Sequence, residues 1–287
     1  MGQLRDRMDE DLRLAGYAPS TRKIYLQCAK SFAVHHRRSP AQMGETEIRA
    51  YLLHMVDERE ISVGHYRQIR SALKFLYSVT LKSPAEIAHV PVRRRRRTLP
   101  VVLSPIEVHG LLEAIRSIKY RGIFMVQYSA GLRITEACTM RPDDIDSGRM
   151  VIHVRGGKGG RDRYTVLSVA LLSFLREYWR HVRTTSEWLF GGQTAAGHAS
   201  PDTARRVFYV AAAAAGITKH VTPHVLRHSF ATHLIESGTD VTVVKALLGH
   251  GSLAVTEIYT HVSVEHLGKV TSPLDLLGAT KPGRRQR

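Results

Sequence analysis

Apolar positions recur at helical spacing through most of the chain, and at strand spacing once. Leu4 to Ala15 reads as a charged helix stopped by Gly16. Ser20 is placed to cap a second, in which Ile24, Cys28 and Phe32 recur at i+4. Ile48, Tyr51, Leu52, Met55 and Val56 give a third stripe, and Tyr66, Ile69, Leu73 and Leu76 a fourth. Helices of this length make a small bundle, residues 1–90. Ser104-Pro105-Ile106-Glu107 is a capping box with Pro at the first helical position, so another domain starts there. Tyr120 to Ala130 is an apolar helix ending at Gly131. From Met150 the period changes to two: Met150, Ile152 and Val154 alternate with Val151, His153 and Arg155. The Gly-rich tip Gly156 to Gly160 and the return Arg161 to Leu167 make this a β-hairpin. Val169 to Trp179 is an amphipathic helix, Trp188-Leu189-Phe190 a short apolar segment, and Ser200-Pro201 starts a helix that runs to Gly216. The fold class expected is mainly α with a small antiparallel β-sheet. Its domains are 1–90, a linker 91–103, a second domain 104–279 and a tail 280–287.

The stretch from Thr222 to His261 carries polar side chains that a plain bundle does not need. Thr222 can cap a helix with Pro223 first inside it, and Leu226, Phe230 and Leu234 form its stripe. His224 and Arg227, three apart, share one face beside that stripe. Gly238 closes this helix. Asp240 can cap the next, which Gly249 ends with His250 just beyond, and Ser252 can cap a third that carries Tyr259. By periodicity alone Tyr259 falls among Val255, Ile258 and Val262 and reads as a core tyrosine.

The balance of charge changes this picture. Lys and Arg number 42 against 25 Asp and Glu, a formal charge of +17. A globular chain this basic meets a polyanion, most often nucleic acid. The charge concentrates in the run Arg93, Arg94, Arg95, Arg96, Arg97, flanked by Pro91 and Pro100. Five adjacent like charges repel one another and do not fold alone. Arg22, Lys23, Arg67, Arg70 and Lys74 lie on the polar faces of the first bundle and suit phosphate contacts. The two cysteines, Cys28 and Cys138, are far apart and imply no disulfide framework, so a reducing cytoplasm is expected. No apolar run has membrane length.

His224-x-x-Arg227, Leu248-Gly249-His250 and a Tyr nine residues after that His together resemble the C-terminal box of tyrosine site-specific recombinases. Gly131-Leu132-Arg133 resembles the first arginine box of that family, and Lys158 on the hairpin tip matches the place of its catalytic lysine. The wording of the last third is closest to integron-type integrases and Xer-like recombinases. It lacks the insertion that integron-type integrases carry before the helix at Ser200, so the use of folded single-stranded sites is in doubt. The resemblance covers residues 10–277. It implies an N-terminal SAM-like core-binding domain, a C-terminal catalytic domain, and two domains clamping duplex DNA.

The implied chemistry follows from the substrate. A phosphodiester is anionic and resists attack until its non-bridging oxygens are covered. Arg133 and Arg227 can do this with planar forks, and His250 can add a hydrogen bond. Tyr259 is the implied nucleophile, His224 its base or hydrogen-bond partner, and Lys158 the acid for the departing 5′ oxygen. A 3′-phosphotyrosyl link stores the bond, so no metal, ATP or other cofactor is expected. The implied partners are double-stranded DNA recombination sites and further copies of this chain, four in all, joined through the C-terminal segment with Leu267, Leu274, Leu276 and Leu277.

Two simpler motif readings fail. Lys158 is followed by Gly, and by a strand, so the Gly-rich tip is not a P-loop; no Glu follows His224, so His224 and His228 do not make a zinc helix. The alternatives from other classes are a DNA-binding regulator or transposase-like relative with the same fold, and a topoisomerase.

Overall fold

The apolar stripes bury themselves in two separate cores. They do so in a computed structural model that describes residues 2–93, 100–156, 162–182, 186–194, 197–249 and 271–277. Contacts divide the chain into two compact units, 1–98 and 99–287.

The first unit is built from α1 (Gly2–Leu14), α2 (Pro19–His36), α3 (Glu45–Asp57), α4 (Val63–Phe75) and the short α5 (Ala85–Ala88). Met8, Leu12, Phe32, Ile48, Tyr51, Ile69 and Leu73 meet in its core. Ser20 does not cap α2. Pro19 already occupies the first turn, preceded by Ala18 without a side-chain cap, because the fixed φ of proline starts the helix one residue earlier. Past α4 the chain runs into a π turn, Leu76–Thr80. It brings the buried Tyr77 hydroxyl to the carbonyls of Pro40 and Met43, at 3.0 and 3.1 Å.

Both ends of the expected linker are built into structure. Val90 is buried in the first core. The Arg70 guanidinium donates twice to the Val90 carbonyl, at 2.9 and 2.7 Å. Tyr66 donates to Pro91 O at 2.8 Å, Arg67 to Arg93 O at 3.1 Å, and Arg93 to Ile61 O at 3.0 Å. At the other end Leu103 belongs to the second core, and its N–H donates to the Ser229 hydroxyl at 2.9 Å.

The second unit opens with α6 (Pro105–Glu113), and the capping box forms: Glu107 N–H donates to Ser104 Oγ at 3.2 Å and Ser104 N–H to Glu107 Oε2 at 2.7 Å. Next come α7 (Ile118–Ala130) and α8 (Ile134–Cys138). Strands β1 (Ile145–Asp146), β2 (Val151–Val154) and β3 (Arg163–Val166) form an antiparallel sheet in the order β1-β2-β3. Register pairs Ile145 with Ile152, His153 with Tyr164 and Val154 with Arg163. Val151 and Ile152 are both fully buried, so β2 is covered on two faces rather than presenting one apolar side.

Helices α9 (Val169–Val182), α10 (Pro201–Ala214), α11 (His224–Glu236), α12 (Val241–Leu248) and α13 (Pro273–Leu277) follow among the described residues. Asp240 caps α12 through Thr242 N–H at 2.6 Å. Thr222 does not cap α11. Pro223 stands in the cap position with helical dihedrals, and the Thr222 and Pro223 carbonyls take the N–H groups of Val225 and Leu226 at 2.8 and 3.3 Å. The entry is thus a tight i→i+3 turn that needs no side chain. The C-terminal segment folds back on its own domain: Leu274 is 7% exposed within the core, Ser272 Oγ donates to Ser129 O at 2.8 Å, and Ala170 N–H donates to Asp275 Oδ1 at 2.9 Å. Leu274 therefore has its place within this domain, contrary to the expectation that it docks on a neighbouring copy. Leu267 lies outside the described residues, as do Ser252 and Tyr259.

One buried side chain works against stability. Gln127, in the middle of α7, is fully buried, and neither of its amide atoms has a hydrogen-bond partner among the described residues. An unpaired buried amide costs about 1–3 kcal/mol. Gln127→Leu should raise the melting temperature by several degrees without altering DNA binding, measured by calorimetry and gel shift; a lower melting temperature would show that the amide is satisfied in solution.

Candidate active site

The site forms where α7 and α12 end and α8 and α11 begin. Helix α7 stops at Gly131, whose φ of 66° is left-handed. A Cβ there would lie 2.6 Å from the Phe230 ring and 2.9 Å from Leu248, so the backbone passes where only glycine fits. The turn delivers Arg133 to the N-cap position of α8. Helix α11 brings His224 and Arg227 on its first turn, and α12 ends at Leu248 beside them.

These segments close around one carboxylate, that of Glu136. The Arg133 N–H donates to Glu136 Oε2 at 2.8 Å and its Nη1 to Oε1 at 2.6 Å. Arg163, first residue of β3, donates to Oε2 at 2.7 Å and to Oε1 at 3.1 Å. Arg227 Nη1 lies 3.8 Å from Oε2. Burial acts to raise the Glu136 pKa, but Arg163 and then Arg133 outweigh it and hold the carboxyl at about 2. Among the described residues Arg133, Arg163 and Arg227 share this one carboxylate, which leaves two positive charges uncompensated there. An anion is the natural complement of such a site.

The predicted residues stand differently. Arg133 keeps a quarter of its side chain exposed and has N–H groups free of Glu136 to meet an anion. Arg227 is 2% exposed. It donates to Gly131 O at 2.6 Å and also to Leu248 O, so two of its donors hold backbone. Burial first, then Arg133 and Arg163, lower its pKa, and Glu136 opposes them. His224 lies on the solvent side, its ring edge-on to His228 at 4.7 Å between centroids. Partial desolvation, then His228, Arg227 and Arg133, push its pKa below the ordinary imidazole value, favouring the neutral ring. Lys158, His250 and Tyr259 lie outside the described residues.

The proposed DNA-contacting residues divide too. Lys23 and Lys74 are exposed. Arg22 pairs with Asp9 at 3.3 Å. Arg67, Arg70 and Arg93 make the backbone bonds described above, and Arg94 to Arg97 lie outside the described residues. His233 Nδ1 hydrogen-bonds the buried Tyr128 hydroxyl at 2.9 Å.

Sequence reasoning gave no site role to Glu136 or Arg163. Glu136 carried a signal, standing three residues after Arg133 at the start of a helix, where a capping carboxylate belongs. Arg163 carried none, since a charged residue opening a strand is ordinary.

Comparison with known proteins gives this arrangement a context. Residues 102–266 match the Phage integrase family, and residues 4–87 match "Phage integrase, N-terminal SAM-like domain". The chain is 39% identical to y4qK of Sinorhizobium fredii, designated an integrase/recombinase, over 285 residues covering 98% of this chain and 92% of that one. It is 40% identical to the tyrosine recombinase XerA of Pyrococcus furiosus over 185 residues, 63% of this chain and 64% of XerA. Its fold is similar to a lambda integrase tetramer bound to a Holliday junction, with TM-score 0.70 and 20% identity over 88% of this chain and 77% of that one.

The Glu136 carboxylate supplies the test of this site. Its pKa is depressed, so its contribution to stability is complete above the ordinary value of 4.5 and fades as pH falls toward about 2. Glu136→Gln should lower stability at neutral pH by about 3–5 kcal/mol, because buried guanidiniums lose their counter-charge. It should also remove that part of the acid dependence. Denaturant unfolding at neutral and acid pH measures both, and an unchanged neutral-pH midpoint would contradict the assignment.

Proposed function

Since this chain belongs to the phage integrase family and is a tyrosine site-specific recombinase, we propose that it cuts and rejoins double-stranded DNA through Tyr259. The observation that carries the proposal is the guanidinium cluster around Glu136, at the end of the helix that leads into Leu248-Gly249-His250. The scissile phosphate takes the place of the missing anion. Arg133 covers one non-bridging oxygen with the N–H groups that Glu136 leaves free. Arg227 meets the other with donors not occupied by Gly131 and Leu248, and His250 adds a hydrogen bond.

Tyr259 attacks phosphorus while its phenolic proton passes to neutral His224. The bond from phosphorus to the 5′ oxygen breaks, and that oxygen takes a proton from Lys158. A 3′-phosphotyrosyl link and a free 5′ hydroxyl result, so charge and protons balance without metal or nucleotide. A 5′ hydroxyl from the partner strand reverses the step, and repetition on the second strand pair passes through a four-way junction. Four copies on two DNA sites are required, held together through residues of the segment after Tyr259 other than Leu274, which packs within its own domain. The enzyme works in the cytoplasm, on DNA. The first unit contributes phosphate contacts through Lys23 and Lys74, and through Arg22 and the arginine run as the charge pattern suggests.

The test uses nicked duplexes made from inverted repeats flanking the gene. Wild-type protein should form a covalent protein–DNA adduct that survives detergent, together with recombinant junctions. Tyr259→Phe should reduce the adduct by at least about a thousandfold while binding the same DNA. Cleavage by Tyr259→Phe at the wild-type rate would end the proposal, and adduct without junctions would indicate a topoisomerase. The pH profile adds an independent check. The lowered His224 pKa places the acid limb of cleavage below the ordinary imidazole value of about 6.5, and His224→Gln should abolish that limb.

A further inference from the structure

Arg163 is held more tightly than surface charge requires. It opens β3, its side chain is 9% exposed, and three of its donors are committed. Two go to the Glu136 oxygens, at 2.7 and 3.1 Å, and its Nε–H goes to the Leu247 carbonyl at 3.0 Å. Only a planar fork with a third donor on its stem can make this set; a lysine has one nitrogen for the same space.

The two anchors matter for different reasons. Glu136 is shared with Arg133, whose Nη1 meets the Oε1 that Arg163 also binds. With Arg163 gone, the carboxylate loses its bidentate partner and can turn toward Arg227, 3.8 Å away, which moves both arginines. The second anchor lies at the end of α12, where the last carbonyls of a helix have no partners of their own and carry negative partial charge. Consecutive carbonyls there, Leu247 and Leu248, are taken by Arg163 and Arg227. Gly249 passes so close that a Cβ would sit 2.8 Å from Arg163 Cδ. Arg163 thus ties the strand after the hairpin tip to α8 and to α12 at once.

We infer that Arg163 is a positioning residue for strand cleavage: it fixes Glu136 and the end of α12 so that Arg133 and Arg227 present their remaining N–H groups together. It does not itself reach the phosphate, because its side chain is only 9% exposed and three of its five N–H donors, on all three nitrogens, are held by Glu136 and Leu247. The inference rests on the reading of Arg133 and Arg227 as the phosphate-binding pair.

The experiment compares full-length wild type with Arg163→Lys, Arg163→Met and, as a stability control, Thr165→Val. Thr165 stands two residues along the same strand, and its hydroxyl bonds Ala130 O at 2.8 Å instead. Hydrogen exchange on the free proteins should show faster uptake over residues 134–138 and 241–249 in both Arg163 variants and not in the control. Both should bind the nicked duplex within about threefold of wild type, yet cleave it at least tenfold more slowly in single turnover, with the loss in rate and not in half-saturating DNA concentration. Unchanged exchange in those segments overturns the inference. So does wild-type cleavage by a folded Arg163→Met, or an equal rate loss in Thr165→Val. A wild-type chain that forms no adduct sinks the cleavage reading instead, and the exchange data still decide whether Arg163 holds these elements.

Discussion

One largely covered carboxylate, that of Glu136, organises the candidate site in the second unit. Glu136 faces Arg133, Arg163 and Arg227, which come from a helix cap, a strand and another helix. Three guanidiniums held this close repel one another, and in a partly dry site the repulsion is hardly screened. Without Glu136 the cluster would lose its counter-charge; a second carboxylate would halve the surplus of positive charge offered to a phosphate, and a third would abolish it. One carboxylate permits assembly and keeps a surplus of two positive charges. A site prepared in this way loses little to reorganisation when an anion arrives, which is the source of electrostatic rate enhancement.

The backbone around that carboxylate is shaped by close approach. Gly131 lets α7 end against Phe230 and Leu248, and Gly249 lets α12 end against the stem of Arg163. Both adopt left-handed dihedrals, so a side chain at either would be strained even if space existed. The carbonyls released at the end of α12 are taken by arginines rather than water. Buried Arg227 thereby gains acceptors for donors that would otherwise lie unpaired. Packing, capping and charge placement here are one arrangement, and a change in any of them disturbs the others.

Much of this was legible from local rules. The capping box at Ser104, the cap at Asp240 and the stops at Gly131 and Gly249 each depend on residues adjacent in sequence, and they form as read. Local rules failed where proline took precedence: Pro19 displaced Ser20, and Pro223 displaced Thr222, because a ring-fixed φ sets a helix start without a side-chain oxygen. The two-residue β1 was too short to leave a period, and its presence turned the hairpin into a three-stranded sheet whose middle strand is buried on both faces. Arg163 and Glu136 are 27 residues apart, and Arg163 and Leu247 are 84 apart. Nothing in either neighbourhood announces those contacts, since the information lies in how α8, β3 and α12 pack. The arginine box and the Leu-Gly-His box identify the family, whereas the bond that joins them is visible only in three dimensions.

The first unit makes the same point about charge. Composition treats its arginines as equivalent, and the structure does not. Arg67, Arg70 and Arg93 fasten residues 90–93 to α4 and its approach, with Tyr66 adding a fifth bond. A guanidinium that donates two bonds to one carbonyl has fewer donors left for a phosphate, while the ammonium groups of Lys23 and Lys74 stand exposed. Fastening the chain at 90–93 removes conformational freedom from that segment. In this unit, as around Glu136, arginines act on other parts of the chain, and the proposed DNA contacts fall to the cationic groups that this leaves free.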